Sequence, residues 1–213
     1  MKIVRERALF YVIGIVIMTL GIGVLIQSSM GTSPFDALLV GLYRTVGLTV
    51  GSWEIILGVA MVLINAMIKK RRPNYLAIGT SVITGICIDM WLLLLRGWLI
   101  PSFWVEQWLF MFLGIILSGI GVATYLQAKF APIPMDEMML VIREVTGKNL
   151  AHSRILINIV LVALALIFNG PIGIGTVIIA LSSGYVINYL MPFAETFYKK
   201  TTIRTTSLQK NIS

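Results

Sequence analysis

The chain has 213 residues, 58% of them apolar and 12% charged, and its mean hydropathy is +0.92. A soluble domain carries about 25% charged residues, so these values exclude a soluble globular protein and a disordered one. The net charge of +8 is split among separate clusters at the ends of apolar runs, with no interleaved aromatics, which excludes nucleic acid as a partner and follows the positive-inside pattern of membrane proteins.

Six apolar runs follow in chain order: 8–27, 52–68, 75–95, 107–127, 155–168 with an extension at one end, and 171–191. Each approaches the roughly 20 residues that cross a bilayer. The first exceeds the 7–15 residues of a signal-peptide core by a few residues and has no evident cleavage site, so it reads as a span. Basic residues mark one side of the membrane: Lys2, Arg5 and Arg7, then Lys69 to Arg72, then Lys199, Lys200, Arg204 and Lys210. Trp98, Trp104 and Trp108 mark the opposite interface. The expected organisation is one transmembrane domain over 1–198, with a basic cytoplasmic tail over 199–213 and both termini cytoplasmic.

The two halves of the chain resemble each other. Shifted by 100 positions, Gly14 meets Gly114, Gly21 meets Gly121, Gln27 meets Gln127, Pro34 meets Pro134, Asp36 meets Asp136 and Gly47 meets Gly147. Further on, Ile78-Gly79-Thr80 resembles Ile174-Gly175-Thr176, and Asp89 pairs with Asn188. Each repeat holds three spans, about 8–96 and 107–192. An odd number of crossings puts the second repeat into the membrane from the other side. The expected fold is therefore an all-α membrane protein with six transmembrane helices in two inverted-topology repeats of three.

A short helix is expected after the first span of each repeat. In the link 28–50, Ser33 suits an N-cap, Pro34 the first helical position, Asp36 a capping box and Gly47 the stop. Phe35, Leu38, Leu39 and Leu42 form one apolar face. The link 128–150 repeats the pattern with Pro134, Asp136 and Gly147, its apolar face carried by Met135, Met138, Met139 and Ile142. Either helix is too short to span. Each is a re-entrant helix offering its N-terminus to a ligand, or an interfacial helix whose aspartate is only a cap.

Polar residues within the spans give the candidates for substrate binding or ion coupling: Ser33, Asp36, Asp89, Gln27, Gln127, Asp136 and Asn188. For Asp89 the choice is between a cation or proton site and a carboxylate bonded to helix ends and hydroxyls. Glu54 and Arg154, at equivalent positions, are expected at opposite interfaces without a mutual salt bridge. Asn65 and Asn158 suit bridges between helices. His152 is the sole histidine and has no metal-ligand spacing around it; the methionines suit packing. No catalytic motif or phosphate loop is present, so no enzyme, cofactor or metal is expected.

At Gly31-Thr32-Ser33-Pro34-Phe35-Asp36-Ala37-Leu38, then Thr49-x-Gly51-x-Trp53 and Ile78-Gly79-Thr80, the chain resembles the YczE/YyaS/YitT group of bacterial integral membrane proteins, its YczE-like branch above all. The second repeat, Ala131-Pro132-Ile133-Pro134-Met135-Asp136, keeps the proline and aspartate but lacks Gly-Thr-Ser. The resemblance implies a multi-pass protein of the bacterial cytoplasmic membrane. It brings no substrate and no site residues. The expected function is a transporter, permease or exporter of a small molecule or ion through a cavity between the repeats, in contact with the lipid bilayer and open to homo-oligomer formation. The alternative is a non-transporting scaffold or accessory protein that supports another membrane or biosynthetic system.

Overall fold

The computed structural model describes the backbone of residues 2–147 and 150–210, and the side chains of 5–147 and 153–201. The described residues form eight helices and no strand: α1 (Lys2–Gln27), α2 (Pro34–Val46), α3 (Val50–Lys69), α4 (Tyr75–Leu95), α5 (Trp104–Gln127), α6 (Pro134–Thr146), α7 (Leu150–Ile167) and α8 (Ile174–Lys210). Five of them, α1, α3, α4, α5 and α8, contain stretches long and apolar enough to cross a membrane. The described apolar part of α7, Ser153–Ile167, is shorter, so of the six expected spans the run at 155–168 falls short of that length. Large apolar side chains such as Leu63, Leu93, Phe112, Ile159 and Leu181 lie exposed on the outer faces. So much exposed apolar surface is what a lipid-solvated protein presents.

The backbone of α8 continues past Tyr198 as far as Lys210. Pro192 sits inside this helix, and Thr196 Oγ1 donates to its carbonyl at 2.8 Å. The expectations placed on the side chains of His152, Lys2, Arg204 and Lys210 lie outside the described residues.

The bundle is organised around the crossing of α1 and α5. A Cβ on Gly14 would meet Tyr125, and one on Gly114 would meet Leu25. A Cβ on Gly21 would meet Ser118, and one on Gly121 would fall on the backbone of Met18. These contacts are reciprocal at an offset of 100, and they run in opposite senses along the two helices. The helices are therefore antiparallel, and glycine is needed because backbone meets backbone. Other contacts follow the same exchange: α1 packs on α4 as α5 does on α8, and α2 packs on α7 as α6 does on α3.

One pair breaks the pattern. α3 and α4 pack closely, with Gly51 against Gly85 and Gly58 against Ser81, whereas α7 and α8 barely touch. Asn158 stands where α3 has Gly58, and the nearest atom to a Cβ on Gly184 is Arg154 Nη1 at 3.6 Å. The second pair instead flanks an apolar groove lined by Ile155, Asn158, Val177 and Leu181.

The short helices lie within the bundle. Residues 34–42 of α2 are all buried. Phe35, Ala37, Leu38, Leu39, Val40 and Leu42 form a core with Met61 of α3, Ile88 of α4, Met139 of α6, and Ile157, Leu161 and Ala165 of α7. A surface-lying helix would bury only one face, so α2 is not an interfacial helix. In α6 only Pro134, Met139 and Val141 are buried. It is tied to α3 by Asn65 Nδ2, which donates to the Pro134 carbonyl at 3.2 Å, and by a Lys69–Glu144 ion pair at 3.3 Å.

Candidate functional site

The N-terminal ends of α2 and α6 meet at a cavity of about 190 Å³ flanked by α1, α3, α5, α7 and α8. Its walls are largely apolar, with Met18, Ile22, Leu25, Ile115 and Ile179 among them. Its polar lining includes Asp36, Glu54, Asp136, Arg154, Ser33, Ser118 and Ser183. Many of these residues stand 100 apart: Asp36 and Asp136, Glu54 and Arg154, Ser33 and Ile133, Met18 and Ser118, Ile22 and Val122, Phe35 and Met135. The two halves of the chain thus contribute equivalent positions to one cavity.

The first repeat holds its aspartate by local chemistry. Gly31 has φ +104, and a Cβ there would come within 2.6 Å of Thr176 Oγ1 and 2.8 Å of the Gly173 nitrogen. Only glycine fits both that backbone and that approach. The Thr32 N–H donates to the Pro171 carbonyl at 3.3 Å, which fixes the turn against the α7–α8 connection. Ser33 then caps α2: its Oγ accepts from the Asp36 N–H at 3.2 Å and donates to the Asp36 carboxylate at 2.6 Å. Asp36 is buried, at 6% exposure.

The second repeat reaches a similar result by a long-range route. Ile133 occupies the cap position and offers no side-chain hydrogen bond. Tyr125, in the last turn of α5, donates its hydroxyl to the Asp136 carboxylate at 2.8 Å. Tyr125 is buried and meets the ring of Tyr11 edge-on, with centroids 6.2 Å apart. The Tyr11 hydroxyl in turn bonds to Thr80. Tyr125 was not a candidate from the sequence, because a hydroxyl eleven residues before its carboxylate has no local signature.

Glu54 and Arg154 correct an expectation. Both were assigned to membrane interfaces, yet both line this cavity. Glu54 is 3% exposed, and among the described residues no hydrogen bond or ion pair reaches its carboxylate. Arg154 donates from Nη2 to Ser183 Oγ at 3.0 Å, while its Nε is buried without a partner. Ser118 Oγ is also buried and unpartnered. Buried polar groups are nearly always hydrogen-bonded, so two unpartnered buried atoms, Arg154 Nε and Ser118 Oγ, beside a carboxyl group with no protein donor make the cavity a place for polar ligand atoms.

Of the sequence candidates, Ser33, Asp36 and Asp136 line the cavity, and Gln27, Gln127, Asp89 and Asn188 do not. Asp89 accepts from Thr49 Oγ1 at 2.5 Å and from the Gly51 N–H at 2.7 Å. It caps α3 from the neighbouring helix α4, the second of the two roles set out for it. Gln127 donates to the Ala123 carbonyl at 3.3 Å and lies 3.1 Å from Met191 Sδ. Asn188 is exposed, and Gln27 is half-buried at the end of α1. The signal that does find Glu54 and Arg154 is the offset itself, since both share it with Asp36 and Asp136.

Residues 5–192 match the model of a family of unknown function, DUF6198. The chain is 42% identical over 189 residues to the uncharacterized protein YyaS of Bacillus subtilis, covering 89% of this chain and 94% of that protein. It is 31% identical over 187 residues to the uncharacterized membrane protein YczE of the same bacterium, covering 87% and 86%. An uncharacterized protein of Haemophilus influenzae is 28% identical over 178 residues, covering 82% and 78%. No solved structure matches the chain.

Proposed function

The chain belongs to the DUF6198 family, and we propose that this multi-pass membrane protein is a permease or exporter of the bacterial cytoplasmic membrane, carrying a small molecule or ion through the cavity between its two halves. The observation that carries the reading is the Glu54 carboxylate, buried and without a protein partner in a cavity built from positions 100 apart. An ionisable group buried in this way costs several kcal/mol to charge, and such groups are kept in membranes chiefly where they serve a pathway. The antiparallel crossing of α1 and α5 supports an inverted repeat, with α7 as the sixth span and α2 and α6 as re-entrant helices whose N-terminal ends face the substrate. Both termini are then cytoplasmic. The reading involves no covalent chemistry, and the protein acts as a carrier rather than an enzyme.

The test is flux. The full chain reconstituted in proteoliposomes, screened with a broad panel of small amines, acids, sugars and inorganic ions, is expected to move at least one class above empty liposomes. Glu54→Gln is expected to reduce that flux to background. Absence of any flux, together with a stoichiometric membrane partner recovered from cells, would establish the scaffold alternative instead.

A further inference from the structure

The cavity described above carries an uneven charge. It is lined by three carboxyl groups, Asp36, Glu54 and Asp136, and by one cation, Arg154. Asp136 accepts from Tyr125 at 2.8 Å. Asp36 and Glu54 line the cavity with no ion pair to either among the described residues. Asp36 at least holds the Ser33 hydroxyl, whereas the Glu54 carboxylate, 3% exposed, has no hydrogen bond. An acid so placed lacks both a counter-charge and a donor, and one chemical group supplies both: an ammonium.

The remaining walls say what the ammonium is attached to. The lining beyond these residues is mostly side chains such as Met18, Ile22, Leu25 and Ile179. An apolar wall favours an organic body over a bare inorganic ion, which would keep its water. Among the described residues no three His, Cys, Asp or Glu side chains converge as metal ligands. The volume, about 190 Å³, lies below the roughly 300–1,000 Å³ of sites for drug-sized ligands. We infer that the cavity is a binding site for a small organic cation, a primary or secondary amine with an apolar body, whose ammonium donates to Glu54 and Asp36. The inference rests on the carrier reading and narrows its substrate class.

The experiment uses the full chain in nanodiscs and three probes of similar size: benzylamine, charged at neutral pH, benzyl alcohol and benzoate. Equilibrium dialysis with radiolabelled benzylamine is expected to show saturable binding that neither benzyl alcohol nor benzoate displaces. Loss of one charge-assisted hydrogen bond predicts that Glu54→Gln weakens binding by about tenfold or more. Glu54→Asp keeps more of it, and Asp89→Asn binds as the wild type does. Should Glu54→Gln fail to yield monodisperse protein, Asp36→Asn with the same readout takes its place. Wild-type protein that binds no benzylamine, a folded Glu54→Gln protein that binds it normally, or equal displacement by benzoate each overturns the inference. Flux of other solutes without amine binding removes the cation and leaves the carrier; amine binding without flux of any solute removes the carrier and leaves the site.

Discussion

Glu54 and Arg154 stand 100 residues apart and line one cavity with opposite charge, and among the described residues no ion pair joins them. Each replaces the other in the repeat. Equal residues at both places would give two buried charges of one sign, and apolar ones would remove the polarity of the cavity. The unlike pair makes the two halves of the site chemically different while the backbone around it stays similar.

Function and stability are expected to part at Glu54. Glu54→Gln replaces a buried carboxyl group that no protein group hydrogen-bonds, so the thermal midpoint of the purified protein should hold or rise, in the manner of other stability–activity trade-offs. Solute flux should fall to background. A variant as active as the wild type would take Glu54 out of the pathway.

At Asp89 the opposite is expected. The carboxylate accepts from Thr49 and from the Gly51 N–H and does not line the cavity, which leaves it a structural task. Asp89→Asn keeps the shape and one acceptor, so it should cost about 1 kcal/mol in a thermal or denaturant melt. Flux, normalised to folded protein, should be unchanged.

Tyr125→Phe deletes the hydroxyl that donates to Asp136. A hydrogen bond to a charged group is worth about 1.5–3 kcal/mol, and the carboxylate left behind is half-buried. Destabilisation of that order is expected, with the loss of flux that follows when Asp136 is no longer held. Ser33→Ala is the parallel change in the first repeat and should act in the same direction, since Ser33 both caps α2 and bonds Asp36.

The helix crossing makes a contrast between glycines. A Cβ at Gly121 would fall on the backbone of Met18, which has no rotamer to change. Gly121→Val should therefore cost upwards of about 3 kcal/mol and yield little monodisperse protein. Gly79 has nothing within 4 Å of such a Cβ. Gly79→Ala should be neutral, or stabilising by up to about 1 kcal/mol through helix propensity. Yield on size-exclusion chromatography and melting of the two variants decide the matter.

Orientation is open to direct measurement. With Cys87 replaced by serine, single cysteines at Lys70 and Ser102, both exposed, should react with a membrane-impermeant maleimide from opposite sides. Lys70 is expected to label only in inverted vesicles and Ser102 only in whole cells. Labelling of both from one side would sink the proposed topology.

The sequence by itself determined the membrane class, the helical content and the ends of the short helices. Those are local matters. Apolar composition sets the solvent, and Ser33, Pro34, Asp36 and Gly47 set the start and stop of α2 within one or two turns of chain. The hundred-residue offset was legible for the same reason, because it asks only whether two stretches are alike. Which polar residues share a cavity was decided by the tertiary structure. Counting along a span gives depth along a helix axis, and by that count Glu54 and Arg154 belonged at separate interfaces while Asp89 looked well placed for a site. Depth says nothing of which way a helix is tilted or which face it turns inward. The glycine crossing of α1 and α5, the burial of α2 and the separation of α7 from α8 fix those angles, and each depends on contacts between residues far apart in the chain. They bring Glu54, Arg154, Asp36 and Asp136 to one cavity and leave Asp89 to cap α3.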